Sequence, residues 1–353
     1  MLSNESKQRY KAFWNNSAYT RACLHILVVK KDAEPFSEPK NLEQKWTDID
    51  YRSRLAVHEA ESCDYYADGF PNIFTNCGPG SLAGCIGSPF TLAPETIWFE
   101  NEQIITDWDD TEHIKFNNSS EMYRLTDGLT DSLLSRGRDK FFTSVPDIGG
   151  IYDIIAALRG TQELLMDLYE YSEEIKEFVL KLQPMWTDYF NECSKKLMAA
   201  QGGAVTTWMP IYSEEPWYPI QCDFSAMISP DMFAEFVLPN LIYQTENMAH
   251  SVYHWDGPGE LHHLDHLLSI ERLNAIQWVP GDSNGSCLDE KWFEYFMRIQ
   301  KAGKGLVLAG SDIDELERFL NKFSTKGVFI NCWAEDERHA QEIIALVDSF
   351  GVK

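Results

Sequence analysis

The second half of this chain repeats one unit. Four short apolar runs, Ser251–Trp255, Ala275–Val279, Gly305–Leu308 and Val328–Asn331, are each followed by a stretch with helical periodicity, at 259–269, 289–302, 312–323 and 335–349. Strand followed by helix at this spacing is the mark of parallel βαβ units, because a parallel strand needs a long crossover to return. The rhythm extends upstream through Phe141–Val145, helices over Tyr152–Leu158, Gln162–Tyr171 and Ser172–Ala200, and an expected strand at Ala204–Ile211. Ser229-Pro230-Asp231 reads as a helix start, with Ser as N-cap and Pro at the first position. With Ala22–Val29 and the 73–76 segment, about eight strands result, which predicts a (β/α)8 barrel. An open doubly wound sheet is the alternative.

No linker divides the chain, so a single domain over 1–353 is expected. Residues 1–70 form an N-terminal extension with the first strand, and 71–353 the remainder. Alternating pieces over 96–124 suit a hairpin inserted between core elements. At 44% hydrophobic residues the chain can bury a large core. Its 55 acidic against 30 basic residues give a net charge of −25, which disfavours nucleic acid and anionic membranes as partners. No apolar run approaches a membrane span, and the N-terminus lacks a secretory signal, so a cytoplasmic protein is expected. The eight cysteines include no C-x-x-C pair.

In a parallel barrel the chemistry sits where strands open into loops at their C-terminal ends. That rule selects Asn76, Cys77, Asp147, Trp208, Tyr212, His254, Asp256, Gln277, Trp278, Ser311 and Cys332. His254 and Asp256 are two residues apart, so on a strand they share a face. Such a pair suits metal ligation or proton transfer; the plainer reading has Asp256 capping the Gly-Pro-Gly turn after it. Cys332 gains weight only if it converges on His254, since buried free Cys is ordinary. His262, His263 and His266 look like a metal cluster, but their helical spacing suits a helix face. Trp208, Tyr212, Trp217, Tyr218, Trp278 and Trp333 could line an aromatic pocket or pack in the core, and Asp147 could move protons or cap a turn. G-x-S-x-G, H-E-x-x-H, P-loop and G-x-G-x-x-G motifs are absent in the contexts that give them meaning.

Several segments together resemble the uroporphyrinogen decarboxylase superfamily, in its corrinoid-dependent methyltransferase branch. They are Asn76-Cys77-Gly78-Pro79-Gly80, Asp147-Ile148-Gly149-Gly150, Leu158-Arg159-Gly160-Thr161, Asp223-Phe224-Ser225, Ile228-Ser229-Pro230-Asp231-Met232-Phe233, Tyr253-His254-Trp255-Asp256-Gly257-Pro258-Gly259 and Ile276-Gln277-Trp278-Val279-Pro280-Gly281. The resemblance runs through most of the chain and implies a (β/α)8 barrel. It implies transfer of a methyl group between a small methylated compound and a corrinoid carried by a partner protein. It also implies Zn2+ on His254, Asp256 and Cys332, with Asp256 standing where the family's zinc members place a second Cys. Asn76, Trp208, Tyr212, Gln277, Trp278 and Trp333 would contact substrate, and His254, Asp256 and Asp147 would carry the chemistry. The decarboxylase reading is weaker, because Arg21 is the lone arginine in a segment where that enzyme is Arg-rich. A metal-free lyase acting on a small acid, or a barrel that only binds a ligand, are the alternatives.

Overall fold

The computed structural model describes residues 2–17, 19–99 and 104–351. Eleven strands occur among them: β1 Cys23–Val29, β2 Cys63–Ala67, β3 Asn72–Ile73, β4 Phe90–Leu92, β5 Ile97–Phe99, β6 Phe142–Thr143, β7 Trp217–Ile220, β8 His250–Asp256, β9 Ala275–Val279, β10 Gly305–Ala309 and β11 Val328–Trp333. The main sheet has the order β2-β1-β11-β10-β9-β8-β7, parallel throughout except for β2, which runs antiparallel to β1. β3 and β6 form a separate parallel pair, and β4 and β5 an antiparallel hairpin.

The sheet curves. The N-terminal helix Asn4–Trp14 touches rings from distant parts of it: Tyr10 meets Phe70, Tyr212 and Phe329, while Trp14 meets Trp217 and His250. One helix can reach all of these only if the strands bend around it, which gives a barrel-like α/β fold. A closed hydrogen-bonded ladder, as expected from the strand count, is not formed among the described residues. The β3–β6 pair is tied to its surroundings by single bonds instead, such as Val145 N to Thr206 O (2.9 Å) and Asn72 Nδ2 to Thr207 O (2.9 Å).

The cause lies in the sequence on the β6–β7 side. The segment expected as a parallel strand at Ala204–Ile211 doubles back, and Val205 pairs with Ser213 in an antiparallel bridge. The parallel strand is Trp217–Ile220 instead. It carries Pro219, which has no N–H to donate and so belongs at a sheet edge.

Most helices fall where periodicity puts them, and Ser172–Ala200 matches residue for residue. Ser229 caps the helix that starts at Pro230, accepting the N–H of Met232. That helix widens to a π turn over Phe233–Val237 just before Pro239, whose ring would collide with the carbonyl four residues back in a regular helix. The inserted hairpin lies at 90–99, earlier than expected; residues 100–103 of the expected segment lie outside the described residues. No described helix is long and apolar enough to cross a membrane.

Candidate active site

Contacts with the N-terminal helix define the inner face of the sheet. His250 of β8 stacks on Trp14, with centroids 4.7 Å apart and planes within 6°. Side chains alternate along a strand, so Val252, His254 and Asp256 share that inner face, while Tyr253 and Trp255 point outward. By the same parity, Phe329 of β11 packs inward on Tyr10 and Phe13, so Asn331 and Trp333 face in and Cys332 faces out.

At the C-terminal end of β8, His254 stands in register with Gln277 of β9 and donates from Nδ1 to Gln277 Oε1 at 2.6 Å. With Nδ1 holding a proton for the amide oxygen, Nε2 of the neutral ring carries the free lone pair. Nε2 lies 3.9 Å from Asp256 Oδ2, and the two side chains are 15% and 42% exposed. Trp208 closes one side, edge-on to the imidazole (4.9 Å, 88°). His254, Asp256, Gln277 and Trp208 are thus brought together as the sequence suggested.

Acids stand behind this group. Burial pushes the Asp147 carboxyl up to about 6, although N–H groups of Gly80 and Gly149 and the Tyr218 hydroxyl favour its ionised form. Tyr218 Oη donates to Asp147 Oδ1 (3.2 Å) and accepts the N–H of Ile148 (2.6 Å). Asp223 links Asp147 to the histidine. Burial raises its carboxyl, His254 opposes that rise and Asp256 adds to it. Asp153, half-buried in the first turn of the helix Ile151–Arg159, accepts the N–H of Phe224 (2.8 Å) and of Asp223 (3.2 Å). Its carboxyl is raised by burial and by Asp223. Asp153 and Asp223 were missed as candidates. Asp223 begins one of the resembling segments, but nothing local marks it as facing a histidine 31 positions later.

Three expected site residues are placed elsewhere. Cys332 lies on the outer face, and its thiol donates to Gly310 O at 3.0 Å; burial raises the thiol well above its ordinary value. Trp278 also points outward, where its ring meets Trp255 (4.9 Å) and Trp292 (4.8 Å) beneath the helices. Tyr212 sits at the opposite end of the strands, against Tyr10, Phe70 and Lys7. Asn76 uses Oδ1 to accept the N–H of Gly78 within a turn. Trp333 lies at the rim on the inner face, 58% exposed.

Zinc therefore does not fit as expected: its three donors are split between two faces of the sheet. Among the described residues, no group of three or more His, Cys, Asp and Glu side chains is disposed to hold a metal ion. The histidine triplet is likewise structural. His262 Nε2 meets Ile228 O (3.1 Å), and His263 Nε2 meets Ser225 O (2.9 Å) while stacking on Phe233.

No protein-family model matches this chain. No curated protein matches it in sequence either. Among solved structures, a methyltransferase from Methanosarcina mazei aligns over 98% of this chain and 98% of its own, with a TM-score of 0.57 and 11% identity. At that identity the likeness establishes a shared fold over the full length of both chains.

Proposed function

We propose that this protein is a methyltransferase that takes a methyl group from a small methylated compound and passes it to the reduced cobalt of a corrinoid carried by a partner protein. The observation that carries this reading is His254, held at one nitrogen by Gln277 and open at the other toward Asp256. The full-length likeness to a methyltransferase fold agrees with it.

Methyl transfer moves CH3 without its bonding pair, and that pair stays on the donor's nitrogen, oxygen or sulfur. The departing heteroatom must be protonated, or it leaves as a poor, basic anion. Protonated His254 supplies this proton from Nε2, and Asp256 stabilises the imidazolium that gives it. Gln277 fixes the ring so that Nε2 is the nitrogen presented. Trp208 covers the ring edge-on and keeps water from that side. Because the zinc donors do not converge, no step is assigned to a metal. A second reading, a lyase on a small acid, is favoured by Asp147, a buried carboxyl close to neutrality at the same end of the strands.

The test supplies cob(I)alamin and a panel of methylamines, methanol, methylated thiols and methoxylated aromatics, and follows methylcobalamin formation by its visible spectrum. At least one donor is expected to react, with the rate falling about 10²- to 10⁴-fold in His254→Gln. Equal rates in the two proteins would overturn the role of His254. Failure of every donor, with carbon dioxide released from a small acid, would establish the lyase.

A further inference from the structure

A cavity of about 650 Å³ opens at the N-terminal end of the strands, remote from His254. Its volume is that of a small-molecule site. Rings form its floor: Phe142 lies 5.3 Å from Phe70 and 5.7 Å from Tyr212, each pair near edge-to-face. Its rim is cationic, with Lys7, Arg138 and Lys140 all in the lining. Asp139 is the acid among the lining residues. Such a concentration of positive charge is notable in a chain with a net charge of −25.

The three cations differ in how they are engaged. Lys7 pairs with Glu214 (3.0 Å) and lies over the Tyr212 ring, and Lys140 pairs with Glu61. Arg138 forms no ion pair or hydrogen bond with any described residue. The turn that carries it is tightly built. Gly137 ends the helix Glu121–Arg136 at a point where a Cβ would lie 2.3 Å from the Phe141 ring, and Asp139 adopts a left-handed φ of 64°. Lys140 N and Phe141 N both donate to Gly137 O (2.8 and 3.1 Å). The loop thereby sets Arg138 and Lys140 beside the cavity while Phe141 and Phe142 turn into its wall.

We propose that this cavity binds a small organic anion with a flat apolar body, of the aromatic carboxylate class. The rings take the body, and Arg138, whose planar fork matches a carboxylate, takes the charge. An inorganic anion would leave the aromatic floor unused, and a neutral ligand would leave Arg138 unpaired. This site is independent of the proposed methyl transfer.

Calorimetric titration of the full chain with naphthoate, at low salt, tests it. Saturable binding is expected, weakened about tenfold or more in Arg138→Glu. Because Arg138 is exposed, that variant should fold normally. His254→Ala should bind naphthoate as the unaltered chain does. Absence of binding, equal binding of the neutral naphthalenemethanol, or an unchanged affinity in Arg138→Glu would each overturn the proposal. Loss of binding in His254→Ala would overturn it too, by moving the ligand to the other end of the strands.

Discussion

His250 and His254 lie on the same face of the same strand, four residues and roughly 13 Å apart, yet they are built for opposite purposes. His250 is pressed flat against Trp14 at the plugged N-terminal end, and burial lowers its pKa. His254 is held by a side-chain amide, with its second nitrogen open toward a carboxylate. The N-terminal end spends its polar groups on staying closed. There Asp68, fully buried, accepts Arg9 Nη1 and Arg21 Nη1 at 2.8 Å each and the N–H of Leu24 at 3.1 Å. The C-terminal end leaves polar groups facing outward from the strand ends. A histidine's role is thus set by which end of the sheet it occupies, not by its presence in a strand.

Several substitutions sharpen this contrast. Asp68→Ala takes the buried carboxylate from Arg9 and Arg21, leaving Arg21 to the exposed Asp348, and should cost about 3–5 kcal/mol in denaturant unfolding, with turnover per folded molecule unchanged. Lost turnover in the folded fraction would show that the two ends are not separable.

A smaller effect concerns pH. Folded Asp147 holds its proton up to about pH 6, against an ordinary value of 3.8. Between those values the folded chain binds the extra proton, so this group's contribution to stability falls as pH rises through the window. Asp147→Asn should remove that slope; a wild-type excess stability that grows from pH 4 to pH 6 would contradict the burial argument. Gln277→Ala frees the imidazole to rotate and should slow turnover about tenfold, with Gln277→Glu, which keeps an acceptor oxygen, recovering part of the loss. Smallest is Cys332→Ala, which removes one thiol–carbonyl contact and should cost about 1 kcal/mol in stability.

The sequence made one face of β8 legible and left β11 ambiguous. His254 and Asp256 alternate with Tyr253 and Trp255, so their shared face follows from period two alone. In β11 the run Val328-Phe329-Ile330 is buried on both sides, as central parallel strands are, and nothing in it says which way Cys332 points. Parity with Phe329 decides that only once the contacts of Phe329 are known. Trp278 was misread for the same reason, since both faces of β9 are covered and its neighbour Gln277 takes the inner one. The Tyr212 error came from a strand assignment. Ala204–Ile211 is apolar enough for a central strand, whereas Pro219 argues against Trp217–Ile220 until the latter is seen at an edge. Asp153 and Asp223 meet through backbone N–H groups across 70 positions, and no local pattern encodes such a contact.

The central claim is that chemistry rests on His254 at the C-terminal end of β8 and owes nothing to Cys332. The most direct measurement is the methyl-transfer rate of His254→Ala beside that of Cys332→Ala, under identical donor and acceptor. The geometry predicts a near-complete loss in the first and the wild-type rate in the second. Comparable losses in both would contradict it, and would mean that Cys332 joins His254 in the working enzyme.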